Sequence, residues 1–240
     1  MRRWEQLPDA MRTPEVRPYY DRLRKKKIGR FFKRSFDVFF SLLLLLLLLP
    51  LFLILALAVK LDSRGPVFFR QTRVTRYGET FRIHKFRSMT VGSDSGSSVT
   101  VRDDPRVTRV GRLIRRCRLD EISQLIDILE GKMTFVGTRP EVPKYVAAYT
   151  PEMMATLLMP AGVTGLASIY YKDEAELLES AEDADAVYVG TILPGKMKYN
   201  LRELDRVGAA HDIGILWKTV FAALGKEFRD KNEQESEEEK

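Results

Sequence analysis

The sequence predicts a helix-dominated α+β protein that is attached to a membrane. Its apolar run, Val38 to Val59, is long enough to cross a bilayer, because roughly 20 helical residues match a hydrocarbon core about 30 Å thick. Downstream, apolar residues recur at helical spacing in several segments, whereas one pair of short segments has the pattern of strands. These observations predict one membrane element and one small domain in a chain of 240 residues.

Composition narrows the class of partner. The formal net charge is +7, although the last ten residues, KNEQESEEEK, are acidic. A basic body beside a membrane segment favours anionic partners such as phospholipid, polyprenyl phosphate or a nucleotide sugar, and a nucleic-acid partner would not explain the membrane segment. The single Cys117 excludes an internal disulfide and indicates a reducing, cytoplasmic setting. One Cys and two His leave little for a structural zinc site.

Basic residues flank the apolar run on both sides, from Arg24 to Arg34 and from Lys60 to Arg76. Lys and Arg beside a membrane segment favour the cytoplasm, and both flanks satisfy that rule only if the segment enters the membrane and turns back. Pro50 lies near the middle of the run, where it removes a backbone donor and favours a bend. A Pro-kinked spanning helix is an equal alternative on these grounds, because Pro is common in spanning helices. The late start and the length argue against a signal peptide.

The remaining elements follow in order. Residues 1–32 have the composition of a basic, partly helical arm at the membrane surface, residues 33–61 form the membrane helix, residues 62–228 form the domain, and residues 229–240 form a disordered acidic tail. Turn residues Tyr77-Gly78-Glu79 between two short apolar or alternating segments predict a hairpin of Val67–Gln71 with Thr80–Phe86. Further segments are then assigned by periodicity and turn composition: a flexible loop at 91–100, helices at Val107–Cys117, Asp120–Leu129, 151–159 and 173–181, and a late helix with a broad apolar face from Ile213 to Leu224.

The residues that offer chemistry are densest between Lys85 and Glu141. Asp120 and Glu121 are adjacent, so that on a helix they point about 100° apart and can divide the work between a nucleophile and a metal ligand. A carboxylate that attacks a phosphoryl group forms an acyl phosphate, and Mg²⁺ held by carboxylates and substrate phosphates suits that step. On residue types alone, a helix cap at Asp120 with a solvated Glu121 is the favoured alternative.

Basic residues of the same region divide into two groups. Arg139 lies between Gly137-Thr138 and Pro140, and a guanidinium held in such a tight turn suits bidentate contact with phosphate. His84 alternates with apolar residues in the predicted strand and has the pattern of a structural residue, whereas Lys85 and Arg87 beside it could reach a phosphate. The arginines along one face of the helix before the dyad have the pattern of a solvated or lipid-headgroup face: Arg109, Arg112 and Arg116.

Several blocks together resemble the bacterial sugar transferases, the monotopic phosphoglycosyltransferases. These blocks are KRSFDVFFSLLLLLLLLP, GPVFFRQTRV, FRIHKFRSM, RVGRLIRRCRLDEISQLIDILEGKMTFVGTRPE and GVTGLASIYY. The resemblance covers roughly residues 33–225 in order, and its most specific block is Thr108–Glu141. It corresponds to the minimal catalytic domain, without the N-terminal membrane helices that some members carry.

The resemblance implies a monotopic fold. A re-entrant helix–break–helix with its break at Pro50 enters one leaflet, and interfacial amphipathic helices and a small domain with a short β-hairpin lie on the cytoplasmic face of the bacterial inner membrane. The implied reaction moves a sugar-1-phosphate from a UDP-sugar to polyprenyl (undecaprenyl) phosphate and releases UMP, through a covalent phosphosugar–aspartate intermediate, as the first membrane step of exopolysaccharide or glycoconjugate assembly. A membrane-anchored scaffold with an inactive dyad is the alternative, and a homo-oligomer stays open.

The resemblance also implies roles for individual residues. Asp120 matches the family nucleophile and Glu121 its partner carboxylate, both at Mg²⁺. Arg139, Arg115 and Lys85 match residues that bind substrate phosphate.

Four positions depart from the family pattern. Leu49 replaces a Ser before the helix-breaking Pro, and Thr138 replaces the first Pro of a Pro-Arg-Pro turn. Pro160 stands where many members carry Arg, and Asn200 stands where many carry Asp. Two alternatives are open for that Asp: Asn200 is a neutral replacement, or Asp205 or Asp212 serves instead.

Overall fold

The computed structural model describes residues 1–90, 106–174, 178 and 183–225. Helices dominate this part of the chain, and two small sheets accompany them. The elements in chain order are α1 (Arg17–Lys25), α2 (Lys27–Leu47), α3 (Leu49–Asp62), β1 (Phe68–Val74), β2 (Thr80–Phe86), α4 (Arg109–Arg116), α5 (Gln124–Leu129), β3 (Met133–Val136), α6 (Pro143–Val146), β4 (Ala161–Thr164), α7 (Leu166–Tyr170), α8 (Ala184–Val187), α9 (Leu193–Leu204) and α10 (Ala209–Ala223).

The apolar run forms a helix pair that is sharply bent. Within the described residues no single helix is long and apolar enough to cross a bilayer, but α2 and α3 meet that requirement together and are bent by 63° relative to each other. The bend falls at Leu48, whose amide still bonds to the Leu44 carbonyl at 2.8 Å. Pro50 is the second residue of α3, a position where its missing N–H breaks no intrahelical bond.

Helix α2 has the reverse of the usual amphipathic pattern. Its buried side chains are polar: Lys33, Asp37 and Ser41 are at most 4% exposed and lie four residues apart on one face. Thr134 and the Phe135 amide donate to the Asp37 carboxylate at 2.7 and 3.1 Å, so that this face is bonded to β3. Large apolar side chains of the helix pair are exposed instead, among them Phe31, Phe32, Phe39, Leu46, Leu47, Leu53, Ile54 and Leu57.

The predicted hairpin is confirmed. Strands β1 and β2 pair antiparallel from Phe68 opposite Phe86 to Val74 opposite Thr80, which makes β1 longer than the apolar pattern indicated. The connecting turn contains Tyr77 and Gly78 with φ values of 60° and 73°. Gly is the residue that takes this left-handed conformation at no steric cost, and a buried Tyr77 takes it only because the surrounding packing holds it there.

A second sheet was not predicted. Strands β3 and β4 pair in parallel, with Met133 opposite Ala161 and Val136 opposite Thr164. All four residues of β3 are buried, so the strand shows none of the alternation that would mark it in the sequence. Just after β3 the chain passes so close to β4 that a Cβ on Gly162 would lie 2.3 Å from the Gly137 amide nitrogen.

The N-terminal region has a buried face. Its apolar side chains pack against the 3₁₀ helix Met153–Leu158 and the β1–β2 turn, and they comprise Leu7, Met11, Val16, Tyr20 and Leu23. The Arg2 side chain bonds to Glu79 in the same turn, and the Arg2 carbonyl accepts a hydrogen bond from the Tyr20 hydroxyl at 3.0 Å. These contacts join residues 1–25 to the domain. The composition of the region, which is that of a basic arm at the membrane surface, did not indicate this packing.

Other predicted elements correspond to the structure to different degrees. Helices α4 and α10 lie where periodicity placed them, while the predicted helix at 151–159 is the 3₁₀ helix Met153–Leu158. The predicted helix Asp120–Leu129 begins only at Gln124, because Leu119–Glu121 forms a separate 3₁₀ turn. The loop at 91–100, most of the helix at 173–181 and the acidic tail at 229–240 lie outside the described residues.

Candidate active site

The adjacent carboxylates lie on the 3₁₀ turn Leu119–Glu121, between α4 and α5. The turn follows Arg118, whose backbone is left-handed with φ of 52°. A non-glycine residue in this conformation costs of the order of 1 kcal/mol and is held by its surroundings. Helix α5 begins at Gln124 with Ser123 before it, so Asp120 does not cap that helix and the helix-cap alternative is wrong.

Two cations converge on Glu121. The Arg139 guanidinium donates to both Glu121 carboxylate oxygens, at 2.5 and 3.4 Å, and the Lys85 ammonium donates to one of them at 3.0 Å. Burial raises the pKa of the Glu121 carboxyl, but Arg139 and Lys85 together outweigh burial and hold this pKa well below its ordinary value. Glu121 is therefore a permanent anion that holds Lys85 and Arg139 side by side.

Asp120 stands next to this cluster, and its carboxylate is not engaged by Lys85 or Arg139. It is half-buried, and among the described residues no side chain forms a hydrogen bond or an ion pair with its carboxylate. Burial raises the pKa of the Asp120 carboxyl, and the nearby charge of Lys85 opposes that rise. An accessible carboxylate beside two fixed cations can attack an electrophile whose negative charge those cations attract.

Lys85 is positioned through its neighbour in β2. The His84 amide and ring Nδ1 bond to the Asp127 carboxylate of α5 at 2.9 and 2.8 Å, and the Ser123 hydroxyl donates to the His84 carbonyl at 3.0 Å. These bonds fix β2 against the segment that carries the dyad, which agrees with the structural role expected for His84. Burial lowers the pKa of the Lys85 ammonium, and Glu121 opposes that decrease.

The turn that carries Arg139 is bonded to the strands on both sides of it. The Gly137 amide donates to the Thr164 carbonyl at 2.9 Å, and the Gly162 amide donates to the Thr138 carbonyl at 2.7 Å. From β1, the Arg73 guanidinium donates to the Pro140 carbonyl at 3.0 Å. This backbone fixation delivers the Arg139 side chain to Glu121, 18 residues earlier in the chain.

The structure thus brings Asp120, Glu121, Lys85 and Arg139 together. Arg115, at the end of α4, is half-buried and near enough to Asp120 to lower its pKa, but it forms no hydrogen bond with the dyad within the described residues. Pro50 lies apart at the helix bend, and α3 contacts the site indirectly, through the cluster of Leu55, Val59, Phe86 and Ile114. Residues Arg109, Arg112 and Arg116 are exposed, as expected for a solvated or headgroup face.

Arg87 does not belong to the site. Its guanidinium is buried and donates to the carbonyls of Val59 and Ser63 at 3.2 and 2.6 Å, where it satisfies the C-terminal end of α3. The expectation that Arg87 reaches a phosphate is wrong, because its buried guanidinium is held at the end of α3 by Val59 and Ser63. The sequence did not indicate a role in the site for Arg73, which contacts the turn that carries Arg139. Several basic residues lie in and near this strand, and nothing in the sequence distinguishes Arg73 from the others.

The structure also locates Asn200, which departs from the family pattern, and the two residues expected to replace the missing Asp. Asn200 is buried in α9 and lines a cavity of about 30 Å³ together with Glu203, one turn further along the helix. Asp205 pairs with Arg22 at 2.6 Å and Asp212 pairs with Lys33, so both of the expected replacements are already engaged by cations. Glu203 and Asp212 both line the cavity with Asn200.

Comparison with known proteins places these residues in a family. A family model described as bacterial sugar transferase matches residues 28–226, which include every predicted site residue. The UDP-glucose:undecaprenyl-phosphate glucose-1-phosphate transferase of Escherichia coli K12 is 35% identical over 89% of this chain and 44% of its own length. The undecaprenyl-phosphate glucose phosphotransferase of Komagataeibacter xylinus is 47% identical over 57% of this chain and 27% of its own.

A third relative broadens the range of sugars among the matches. The UDP-N-acetylgalactosamine-undecaprenyl-phosphate N-acetylgalactosaminephosphotransferase of Aeromonas hydrophila is 33% identical over 82% of this chain and 44% of its own length. The chain spans less than half of the length of each of these three curated relatives. Because the family model covers most of the chain, the protein belongs to the bacterial sugar transferase family.

Proposed function

We propose that this chain transfers a sugar-1-phosphate from a UDP-sugar to polyprenyl phosphate and releases UMP. The observation that carries the proposal is the half-buried Asp120 carboxylate, which no described side chain binds and which lies beside Glu121, Lys85 and Arg139. A diphosphate donor has the negative charge that these cations attract, and a carboxylate is a nucleophile for phosphorus. The names of the three relatives, each of which is an undecaprenyl-phosphate transferase, support the same reaction class.

The reaction proceeds in two steps. An Asp120 oxygen attacks the phosphorus that carries the sugar, a bond from that oxygen to phosphorus forms, and the bond from phosphorus to the bridging oxygen breaks as UMP leaves with the electron pair. An oxygen of polyprenyl phosphate then attacks the same phosphorus, which returns the Asp120 carboxylate and yields the lipid diphosphosugar. Arg139 and Lys85 stabilise the charge that builds up on the phosphoryl oxygens, while Glu121 holds both cations in place.

The carboxylates also fit Mg²⁺. This ion takes oxygen ligands and is usually bound by one or two carboxylates together with substrate phosphates. Among the described residues no group of three or more His, Cys, Asp or Glu could hold a metal by itself, which agrees with a site that substrate phosphates complete. Asp120, which no described side chain binds, and Glu121 would hold the ion, which when bound neutralises part of the diphosphate charge.

The proposed location is the cytoplasmic face of the bacterial inner membrane, with α2 and α3 entering one leaflet and returning. A bend of 63°, basic residues on both flanks and the exposed apolar side chains of α2 and α3 support this arrangement. Helix α10 adds Ile213, Trp217, Val220 and Phe221, which are exposed on a face that suits the membrane interface. A buried polar stripe and an exposed apolar surface on α2 are what a lipid environment favours.

A covalent adduct on Asp120 tests the mechanism. The protein in detergent is incubated with a panel of UDP-sugars and Mg²⁺ but without lipid, and its intact mass is then measured and the modified site mapped. We expect UMP release and a mass gain of one sugar phosphate on Asp120 with the correct donor. Asp120→Asn lacks the attacking oxygen and should neither gain mass nor turn over, although its thermal unfolding should match that of the wild type.

Two other outcomes would contradict the proposal. UMP that appears only when both substrates are present, without an adduct, would indicate direct transfer in a ternary complex. No UMP from any donor with undecaprenyl phosphate would favour the alternative, a membrane-anchored scaffold with an inactive dyad.

A further inference from the structure

A buried polar cluster lies behind the turn that carries Arg139. The Lys196 ammonium of α9 donates to Glu174 at 3.0 Å and to the Tyr188 hydroxyl at 3.1 Å, and it lies 3.5 Å from the Glu141 carboxylate. The Tyr188 hydroxyl in turn donates to Glu141 at 2.5 Å. Lys196, Tyr188 and Glu141 are all at most 7% exposed. We name these four residues the Lys196 cluster.

The cluster is coupled to Arg139 through the backbone. Glu141 is two residues after Arg139, and its carbonyl accepts a bond from the Val74 amide of β1 at 2.9 Å. The strands therefore hold the turn from one side, while Tyr188 and Lys196 hold the Glu141 side chain. Tyr188 begins the π-helical turn Tyr188–Ile192, a rare conformation that often occurs at functional sites.

The cluster is also coupled to Arg139 through charge. Glu121, Glu141 and Glu174 all attract the Arg139 guanidinium, and Glu121 attracts it most strongly. Lys196 lies between Glu141 and Glu174 and neutralises part of their charge. Without Lys196, these carboxylates would compete with Glu121, and with a donor phosphate, for the Arg139 side chain.

We propose that Lys196 and Tyr188 are positioning residues of the transfer reaction, which hold the Arg139 guanidinium in the orientation that binds the donor diphosphate. The proposal rests on the transferase function given above. Within the described residues neither side chain forms a hydrogen bond or an ion pair with the dyad, so both act through Glu141, Glu174 and the turn. An Arg that is displaced by about 1 Å loses its bidentate geometry, and such small displacements are costly for a reacting complex.

Steady-state kinetics on the full chain in detergent test the proposal. The variants are Tyr188→Phe, which keeps the ring that stacks on Tyr145 at 4.4 Å, and Lys196→Met, which keeps an unbranched side chain. We expect kcat/KM for the UDP-sugar to fall about tenfold, while the KM for undecaprenyl phosphate changes less than about twofold. Lys196→Arg should recover part of the loss, because it restores the positive charge.

Two controls separate positioning from a structural role. Tyr20→Phe also removes one hydroxyl bond of a buried tyrosine, to the Arg2 carbonyl in the N-terminal region, and should leave kcat/KM unchanged. The second control repeats Tyr188→Phe and Lys196→Met in an Arg139→Lys background. If the cluster acts through Arg139, each additional loss should shrink to less than about twofold there, since coupled residues are not additive.

The outcomes also separate this proposal from the proposed function. A wild-type protein that releases no UMP from any UDP-sugar refutes the transferase function itself. An active wild type in which Tyr188→Phe behaves like Tyr20→Phe overturns the positioning role alone. The role is likewise overturned if the loss persists in full in the Arg139→Lys background, or if the KM values for both substrates rise together. Tyr188→Phe keeps the test decisive if Lys196→Met does not fold.

Discussion

The buried ion pair between Lys33 of α2 and Asp212 of α10 provides a direct test of how the bent helices are held to the domain. The two side chains are 5% and 2% exposed, and Lys33 also donates to the Val136 carbonyl at 2.8 Å. Lys33→Met keeps an unbranched side chain and removes the charge, so Asp212 stays buried without a cation. Removing one partner of a buried pair costs about 3–5 kcal/mol, and we expect a loss in that range.

Thermal unfolding in detergent, followed by the fluorescence of Trp4 and Trp217, measures the loss. In a chain of this length each kcal/mol shifts Tm by about 2–4 °C, so Tm should fall by roughly 6–20 °C. The matched control is Lys33→Met combined with Asp212→Leu. This double variant should recover most of the loss, because apolar replacement of both partners of a buried pair is often neutral.

The loss should also depend on pH. Burial raises the pKa of the Asp212 carboxyl and Lys33 opposes that rise, so the pKa should be higher still in Lys33→Met. A raised pKa in the folded state favours folding at low pH, and that advantage is lost as the pH rises through the folded-state pKa. The loss of unfolding free energy in Lys33→Met, relative to the wild type, should therefore be smaller at about pH 5 than at about pH 7.5. An equal deficit at both pH values, or a double variant no more stable than the single one, would refute the reasoning.

Two further predictions concern the donor turn and the topology. Arg139→Lys should lower kcat/KM for the UDP-sugar by about tenfold or more, because an ammonium cannot reproduce a bidentate contact, and near-normal turnover measured by UMP release would show that Arg139 acts as a point charge. For the topology, single cysteines introduced at Ile28 and Arg64, after the exposed Cys117 is replaced by Ser, should be equally protected from an impermeant thiol reagent added to intact cells. Labelling of one site but not the other would mean that the apolar run crosses the membrane.

Local features of the sequence were sufficient for much of the fold. A continuous apolar run interrupted by Pro50 indicates a bent hydrophobic helix pair, since both signals lie within a few residues of chain. The same is true of the β1–β2 hairpin, which follows from alternation and a turn with Gly78, and of the helical periodicity in α4 and α10. The adjacency of Asp120 and Glu121 marked the candidate site, and the resemblance of the surrounding block to a family gave these residues roles.

The tertiary structure alone decided how charges are paired. Three sets of contacts show this: Glu121 binds Lys85 and Arg139, Arg87 caps α3, and Lys196 joins Glu141 to Glu174. The paired residues are 18 to 55 positions apart in the chain. Side-chain pairing across such separations depends on which elements the fold brings together, and one basic residue in a strand or helix looks like another in the sequence.

Dependence on long-range contacts also explains why the sequence did not predict the second sheet. The parallel pair of β3 and β4 is short and buried on every residue of β3, so no periodicity reveals it, and its register comes from the close approach of Gly137 and Gly162. Local patterns in the sequence were enough to predict the bent apolar helix pair, the hairpin and the adjacent carboxylates of the candidate site, because each signal lies within a short stretch of chain. Only the tertiary structure determined which cations face those carboxylates, because long-range packing places them.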